Sequence, residues 1–78
     1  MSAIDELAEQ VRARRSLPPP ARRAAIRAAA GASLTDVANA CGVSKQAVAL
    51  WEAGLTNPSG ERLLAYAAVM RLFKEKRP

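Results

Sequence analysis

Histidine is absent from the 78 residues of this chain, and cysteine occurs once, as Cys41. These absences exclude a Cys/His metal cluster, a Cys–His nucleophile pair and an internal disulfide. We expect Cys41 to be a reduced thiol in the core, and we expect no cofactor. No apolar run approaches the ~20 residues of a membrane helix, and the start "MSAIDELAEQ" is acidic where a signal peptide would be basic. A cytoplasmic protein without a membrane partner is predicted.

Positive charge is in excess, with 12 Lys and Arg against 7 Asp and Glu and a net charge of +5. This balance suits a polyanionic partner better than a basic one. The length leaves room for one small domain with a single core. An enzyme with a deep substrate pocket is therefore not expected.

Helical periodicity with short breaks runs along the chain, and neither strand-like alternation nor an internal repeat interrupts it. The fold class predicted is all-α. Ser2, Ser33, Ser44 and Ser59 are typical N-caps, while glycines and the triproline end the preceding helices. Five helices follow, approximately over 3–15, 20–30, 33–41, 44–53 and from 59 onward.

Apolar residues at helical spacing predict which faces turn inward. The predicted core of the last three helices contains Leu34, Val37, Ala38, Cys41, Ala47, Val48, Trp51, Leu63, Leu64, Ala67, Met70 and Phe73. The first helix carries a stripe of Ile4, Leu7, Ala8 and Val11. We expect this stripe to be buried, either on its own domain or on a second copy.

The segment "DVANACGVSKQAVALWEAG", residues 36–54, contains the elements of a steep helix crossing. Two helices joined by a short turn cross closely only where the first offers a small residue and the turn tolerates positive φ, which suits Ala38 and Gly42. Because Val48 and Trp51 face the core, the outward face of the second helix is left to other residues. These are Lys45, Gln46, Ala49 and Leu50.

The stretch "SLTDVANACGVSKQAVALWEAGLTNPS", with "IRAAAG" before it and "ERLLAYAAVM" after it, resembles the Cro/repressor-type (XRE-like) helix-turn-helix family. The positions that match are Ala38, Gly42, Val43, Ser44, Val48, Trp51, Glu52, Gly54, Asn57 and Pro58. The resemblance covers about residues 21–73. It implies a compact, five-helix lambda-repressor-like fold whose first helix is an addition. The added helix and triproline linker occupy 1–20, and the helix-turn-helix DNA-binding domain occupies 21–78.

The resemblance further implies that the helix starting at Ser44 enters the major groove of DNA. Base contacts are then expected from Lys45 and Gln46, with Ala49 and Leu50 one turn on. Glutamine can pair with adenine N6 and N7, and lysine can donate to guanine O6 and N7. Leu50 departs from the polar or basic residue usual in this family, and Leu34 stands where a glutamine is common.

Phosphates on either side of the groove favour cations and helix N-termini. The candidate DNA backbone contacts are Arg22, Arg23, Ser33, Leu34, Thr35, Ser44, Asn57, Ser59, Gly60 and Arg62. Arg71, Lys74, Lys76 and Arg77 either contact DNA or simply solvate the end of the last helix. Arg27 aligns with a family arginine that pairs internally, so the resemblance implies a structural ion pair with Glu52.

The function expected is that of a sequence-specific transcriptional regulator of repressor or Cro type, without catalysis, in the bacterial cytoplasm and associated with the nucleoid. A homodimer on a palindromic operator is expected, because one copy reads only a few base pairs. The short Ala- and Arg-rich chain suggests a phage or mobile element. Two alternatives remain open: an antitoxin binding a protein partner through residues 3–15, and an adaptor that uses the fold for protein contacts alone.

Overall fold

The computed structural model describes residues 2–75 and places them in five α-helices joined by connections of three to six residues. The helices are α1 (Ala3–Ser16), α2 (Pro20–Ala29), α3 (Leu34–Cys41), α4 (Lys45–Ala53) and α5 (Gly60–Glu75). This part of the chain contains no strand, so the prediction of an all-α, five-helix fold is confirmed. None of its helices combines the length and the apolarity that crossing a membrane requires.

Serine side chains begin three of the helices. The Oγ atoms of Ser2, Ser33 and Ser44 accept hydrogen bonds from the backbone N–H three residues on, at 3.2, 3.0 and 3.1 Å. Each cap satisfies an amide that the helix itself leaves unpaired, and contributes about 1 kcal/mol. At α3 the carboxylate of Asp36 also accepts from the Ser33 N–H at 2.8 Å, and this hydrogen bond lowers the pKa of Asp36.

The turn between α3 and α4 depends on a left-handed residue. Gly42 has φ of 69° and donates its N–H to the carbonyls at the end of α3, while the Val43 N–H donates to Ala38 O at 3.0 Å. A side chain is strained at this φ, which is why glycine stands here. The chain therefore changes direction within three residues, and α4 packs against α3, in which Ala38 is buried.

The core lies where α5 meets α2 and α3, with α4 closing it from the side. Its fully enclosed side chains are Val37, Val48, Tyr66 and Met70, and Leu63 is equally enclosed in a second cluster between α1 and α5. The Trp51 ring packs on the Tyr66 ring with centroids 4.8 Å apart. Trp51 and Cys41 are buried as predicted, whereas Leu34, Ala47, Leu64 and Phe73 are only half-buried at the edges. Tyr66 is a central core residue that the sequence analysis did not single out.

Helix α1 packs on α5 and on no other described helix. Ala13 is buried against Leu63 and Ala67, and Leu17 packs beside them. Successive residues of an α-helix are rotated by about 100° around its axis. The face of α1 that is in line with Ala13 and Leu17 is therefore opposite to the face that carries Ile4 and Val11. Because the face that carries Ala13 and Leu17 packs on α5, the predicted apolar stripe points away from α5.

The apolar stripe of α1 is consequently not buried on its own domain. Ile4, Leu7 and Val11 are 79%, 61% and 42% exposed. Of the two expectations for this stripe, burial on the same domain is wrong. The other, burial against a second copy, stays a prediction.

Candidate nucleic-acid interface

Helix α4 presents one polar and one apolar pair of side chains to the surface. Lys45 and Gln46 are exposed in its first turn, and Ala49 and Leu50 are exposed one turn later. Val48 and Trp51, which face the other way, are 0% and 4% exposed. The four outward residues therefore form a continuous surface on a helix of nine residues. The major groove of DNA, ~12 Å wide, admits a single α-helix.

Two arginines of α2 hold the far end of α4. Arg27 donates from Nε to Glu52 Oε2 at 2.6 Å and from Nη2 to Glu52 Oε1 at 3.2 Å. Its Nη1 also donates to Ala32 O at 3.0 Å. This bidentate geometry joins α2 to α4, so the ion pair implied by the resemblance is present. The hydrogen bond to Glu52 raises the pKa of Arg27 further.

Arg23 lies inside the protein and corrects the prediction that it contacts DNA phosphates. It is 6% exposed and donates from Nε to Pro18 O and from Nη1 to Trp51 O, each at 2.9 Å. Its guanidinium carbon lies 5.9 Å from the centre of the Tyr66 ring. Arg23 thus ties the triproline linker and the end of α4 to the core. No signal in the sequence separates Arg23 from Arg22, because both lie at a helical spacing before the buried Ile26.

Arg22 and Arg62 keep exposed side chains and remain candidates for phosphate contacts. Arg22 is in the first turn of α2, and Arg62 is in the first turn of α5. Arg62, Ser59 and Gly60 line an open depression that also includes Gly42 of the α3–α4 turn. The start of α5 is therefore close to the turn that precedes α4.

Free backbone amides mark the starts of α3 and α4. In α3 the N–H groups of Ser33 and Asp36 are used by the capping box, which leaves those of Leu34 and Thr35 without a partner in the helix. In α4 the Ser44 cap takes the Ala47 N–H and leaves those of Lys45 and Gln46. The serine hydroxyls accept in these caps and keep a hydrogen to donate. Both ends can therefore donate to an anion.

The remaining predicted contact residues differ in what they can offer. Thr35, Asn57 and Ser59 are exposed, whereas Leu34 turns its side chain toward the core and can contribute only its amide. Gly60 is half-buried with φ of 58°.

The basic end of α5 lies apart from these residues. Arg71 and Lys74 are exposed and line depressions beside α1. The other two cations of this run, Lys76 and Arg77, lie outside the described residues.

Within residues 2–75 no three Cys, Asp or Glu side chains are grouped closely enough to hold a metal ion. Burial raises the pKa of the Cys41 thiol, as expected for a core residue.

The crossing of α3 and α4, the glycine turn between them and the exposed face of α4 define the helix-turn-helix class of DNA-binding proteins. A sequence profile described as helix-turn-helix matches residues 24–72. The chain belongs to this family of XRE-type DNA-binding regulators, and double-stranded DNA is its partner. No curated protein and no solved structure matched in the same comparisons. The matched segment leaves α1 outside.

Proposed function

We propose that the chain is a repressor or Cro-type transcriptional regulator that reads an operator with α4 in the major groove. The observation that carries this proposal is the exposed surface of Lys45, Gln46, Ala49 and Leu50 on a helix whose opposite side is buried. α2 holds the C-terminal end of this helix through Arg23 and Arg27. A reading helix needs such support, because base recognition depends on hydrogen bonds of defined direction.

Each of these four residues of α4 has a role that follows from its chemistry. Gln46 pairs bidentately with adenine N6 and N7, and Lys45 donates to guanine O6 and N7. Ala49 and Leu50 contact thymine methyl groups, which are the apolar features of the major groove. Neutral base edges require little charge, which accounts for the single cation on this face.

Phosphate contacts position α4 on the duplex. Arg22 and Arg62 supply positive charge, and the free amides of Leu34 and Thr35 supply a helix N-terminus. The start of α5 lies close to the α3–α4 turn, which favours contacts on the same side of the groove. The other proposed backbone contacts are Ser33, Ser44, Asn57, Ser59 and Gly60.

The regulator acts as a homodimer on a palindromic operator, and represses by occupying it. Two half-sites ~34 Å apart place both α4 helices on one side of the duplex, and the pair multiplies affinity and selectivity.

A second candidate function is protein interaction, as an antitoxin or an adaptor. The observation that favours it is the exposed apolar stripe of α1.

Selection of bound sites from random duplex DNA tests this proposal. A palindromic consensus with two half-sites one helical turn apart is the expected result. A pool without any consensus, obtained with folded protein at low salt, would favour an adaptor function over operator recognition. An antitoxin remains compatible with a consensus, so co-purification of a stoichiometric partner distinguishes that case.

A further inference from the structure

The side of α1 that faces away from α5 carries an apolar stripe, defined here as Ile4, Leu7 and Val11. Their exposed fractions of 79%, 61% and 42% make this stripe the largest group of exposed large apolar side chains on one described helix. Among the described helices α1 contacts only α5, whereas α4 contacts α2 and α3. The stripe is therefore separate from the exposed face of α4.

We propose that the apolar stripe of α1 is the dimer surface, and that it binds the same stripe of a second copy with the two α1 helices antiparallel. The proposal rests on the proposed function, since it names the surface that holds two copies on one operator. In a two-fold interface every contact between two different residues occurs twice, once in each direction. Leu7 of each copy then packs near Val11 of the other.

The charges of α1 favour this occupant and this direction. Its first half is acidic, with Asp5 and Glu6 in the first turn, and its second half is basic, with Arg14 and Arg15 in the last turn. Glu6, Glu9 and Arg12 also border depressions between α1 and α5. Antiparallel pairing brings the acidic half of each copy beside the basic half of the other. Parallel pairing would bring like charges together.

The most specific contact that the charge pattern predicts between two copies is the one between Asp5 and Arg12. They are exposed, seven residues apart, and so lie on the same flank of the stripe about two turns from each other. In the antiparallel pair, Asp5 of each copy faces Arg12 of the other. A purely acidic or purely basic partner would be repelled by one half of α1, whereas a second copy matches both halves.

The size of the stripe predicts how strong the dimer is. A standard interface buries about 800 Å² per partner, and three side chains cover only part of that area. Two copies that each carry a charge of +5 also repel each other at long range. The free protein is therefore expected in a weak monomer–dimer equilibrium, and binding to adjacent half-sites supplies the effective concentration that closes the pair.

Charge reversal tests the pairing with the full chain. Sedimentation equilibrium should show that Asp5→Arg and Arg12→Asp each weaken self-association at least about tenfold, because both reciprocal contacts become repulsive. An equimolar mixture of the two variants should associate about as well as the original chain, because a basic side chain then faces an acidic one at both contacts of the mixed pair. Leu7→Glu should abolish association. Leu55→Glu, which changes a residue 74% exposed outside α1, should leave it unchanged.

DNA titrations separate this proposal from the proposed function. Binding to a single selected half-site reports on α4 and should be the same for all α1 variants. Cooperative binding to the full palindrome should be lost in each charge variant and restored in the mixture. Unchanged association in both charge variants, or weakened association without recovery in the mixture, overturns the antiparallel pairing. Absence of any consensus site overturns the proposed function, while the sedimentation result still judges the α1 surface.

Discussion

At the scale of single residues, Tyr66 shows a core position that is well packed and poorly hydrogen-bonded. It is the largest fully buried side chain among the described residues, and its ring packs on Trp51. Its hydroxyl has no hydrogen-bond partner within residues 2–75. Burial disfavours the charged phenolate and raises the pKa of Tyr66 to about 12.

Tyr66→Phe should therefore fold as stably as the original chain at neutral pH, or more stably by up to about 2 kcal/mol. The variant keeps the ring and removes a buried hydroxyl, whose unpaired burial costs about 1–3 kcal/mol. Urea denaturation measures the difference. A loss of more than about 1 kcal/mol in Tyr66→Phe would show that the hydroxyl is bonded, contrary to this account.

Tyr66→Phe also tests how the free energy of unfolding depends on pH. An unfolded tyrosine has a pKa near 10, so between about pH 10 and 12 the unfolded chain releases a proton that folded Tyr66 retains. The ionisation of Tyr66 therefore leaves the free energy of unfolding unchanged below about pH 10 and lowers it as the pH rises toward 12. The original chain should lose more unfolding free energy than Tyr66→Phe between about pH 9 and 11.5, because all other groups titrate alike in both. Equal losses would contradict the raised pKa.

At the scale of elements, the position of α4 depends on α2. Arg23 reaches Trp51 O, and Arg27 reaches Glu52 at the end of the same helix. Both contacts are at least partly shielded from water, where charged hydrogen bonds are strongest. The exposed face of α4 is therefore held from behind by two cations that lie between α2 and α4.

Arg23→Met should lower the free energy of unfolding by about 2–4 kcal/mol, because it leaves Pro18 O unpaired and removes a charged bond from Trp51 O. The neighbouring Arg22→Ala is the matched control and should change stability by less than about 0.5 kcal/mol. Both are measured by urea denaturation. If Arg23→Met were as stable as the original chain and instead lowered the salt dependence of DNA binding, Arg23 would be the phosphate ligand first expected from the sequence.

Local chemistry is why the helices could be predicted. The serine caps, Gly42 and Gly54 act within three or four residues of themselves, so the helix limits agree with the prediction to within two residues. The outward face of α4 follows equally from the spacing of Val48 and Trp51. These features need no knowledge of the rest of the chain.

Two features could not be predicted from local sequence, because they depend on contacts between residues that are far apart in the chain. Arg22 and Arg23 are identical in type and differ by about 100° around α2, and only the packing against α4 and α5 decides which is buried. The orientation of α1 depends on how Leu17 and Pro18 join it to α5. The sequence left open whether the most apolar side of α1 packs on its own domain or on a second copy, and in the structure the side carrying Ala13 packs on α5.

At the scale of the whole molecule, the proposed function assigns base reading and phosphate binding to different residues. In the proposed complex α4 reads base edges with nearly neutral side chains, while the exposed arginines and the helix N-termini bind phosphates. A neutral amide releases no counterion on binding, whereas a cation at a phosphate does. The two tasks can therefore be distinguished by how binding depends on salt.

Titration of Gln46→Ala and Arg22→Ala against cognate and scrambled duplex, at several salt concentrations, tests the central claim most directly. Gln46→Ala should cost ~1–3 kcal/mol on the cognate site and flatten preference at one base pair per half-site, with an unchanged salt slope. Arg22→Ala should weaken both duplexes alike and make the slope shallower by about one unit per lost contact. If folded Gln46→Ala keeps the full sequence preference, α4 is not the reading helix and the account is contradicted.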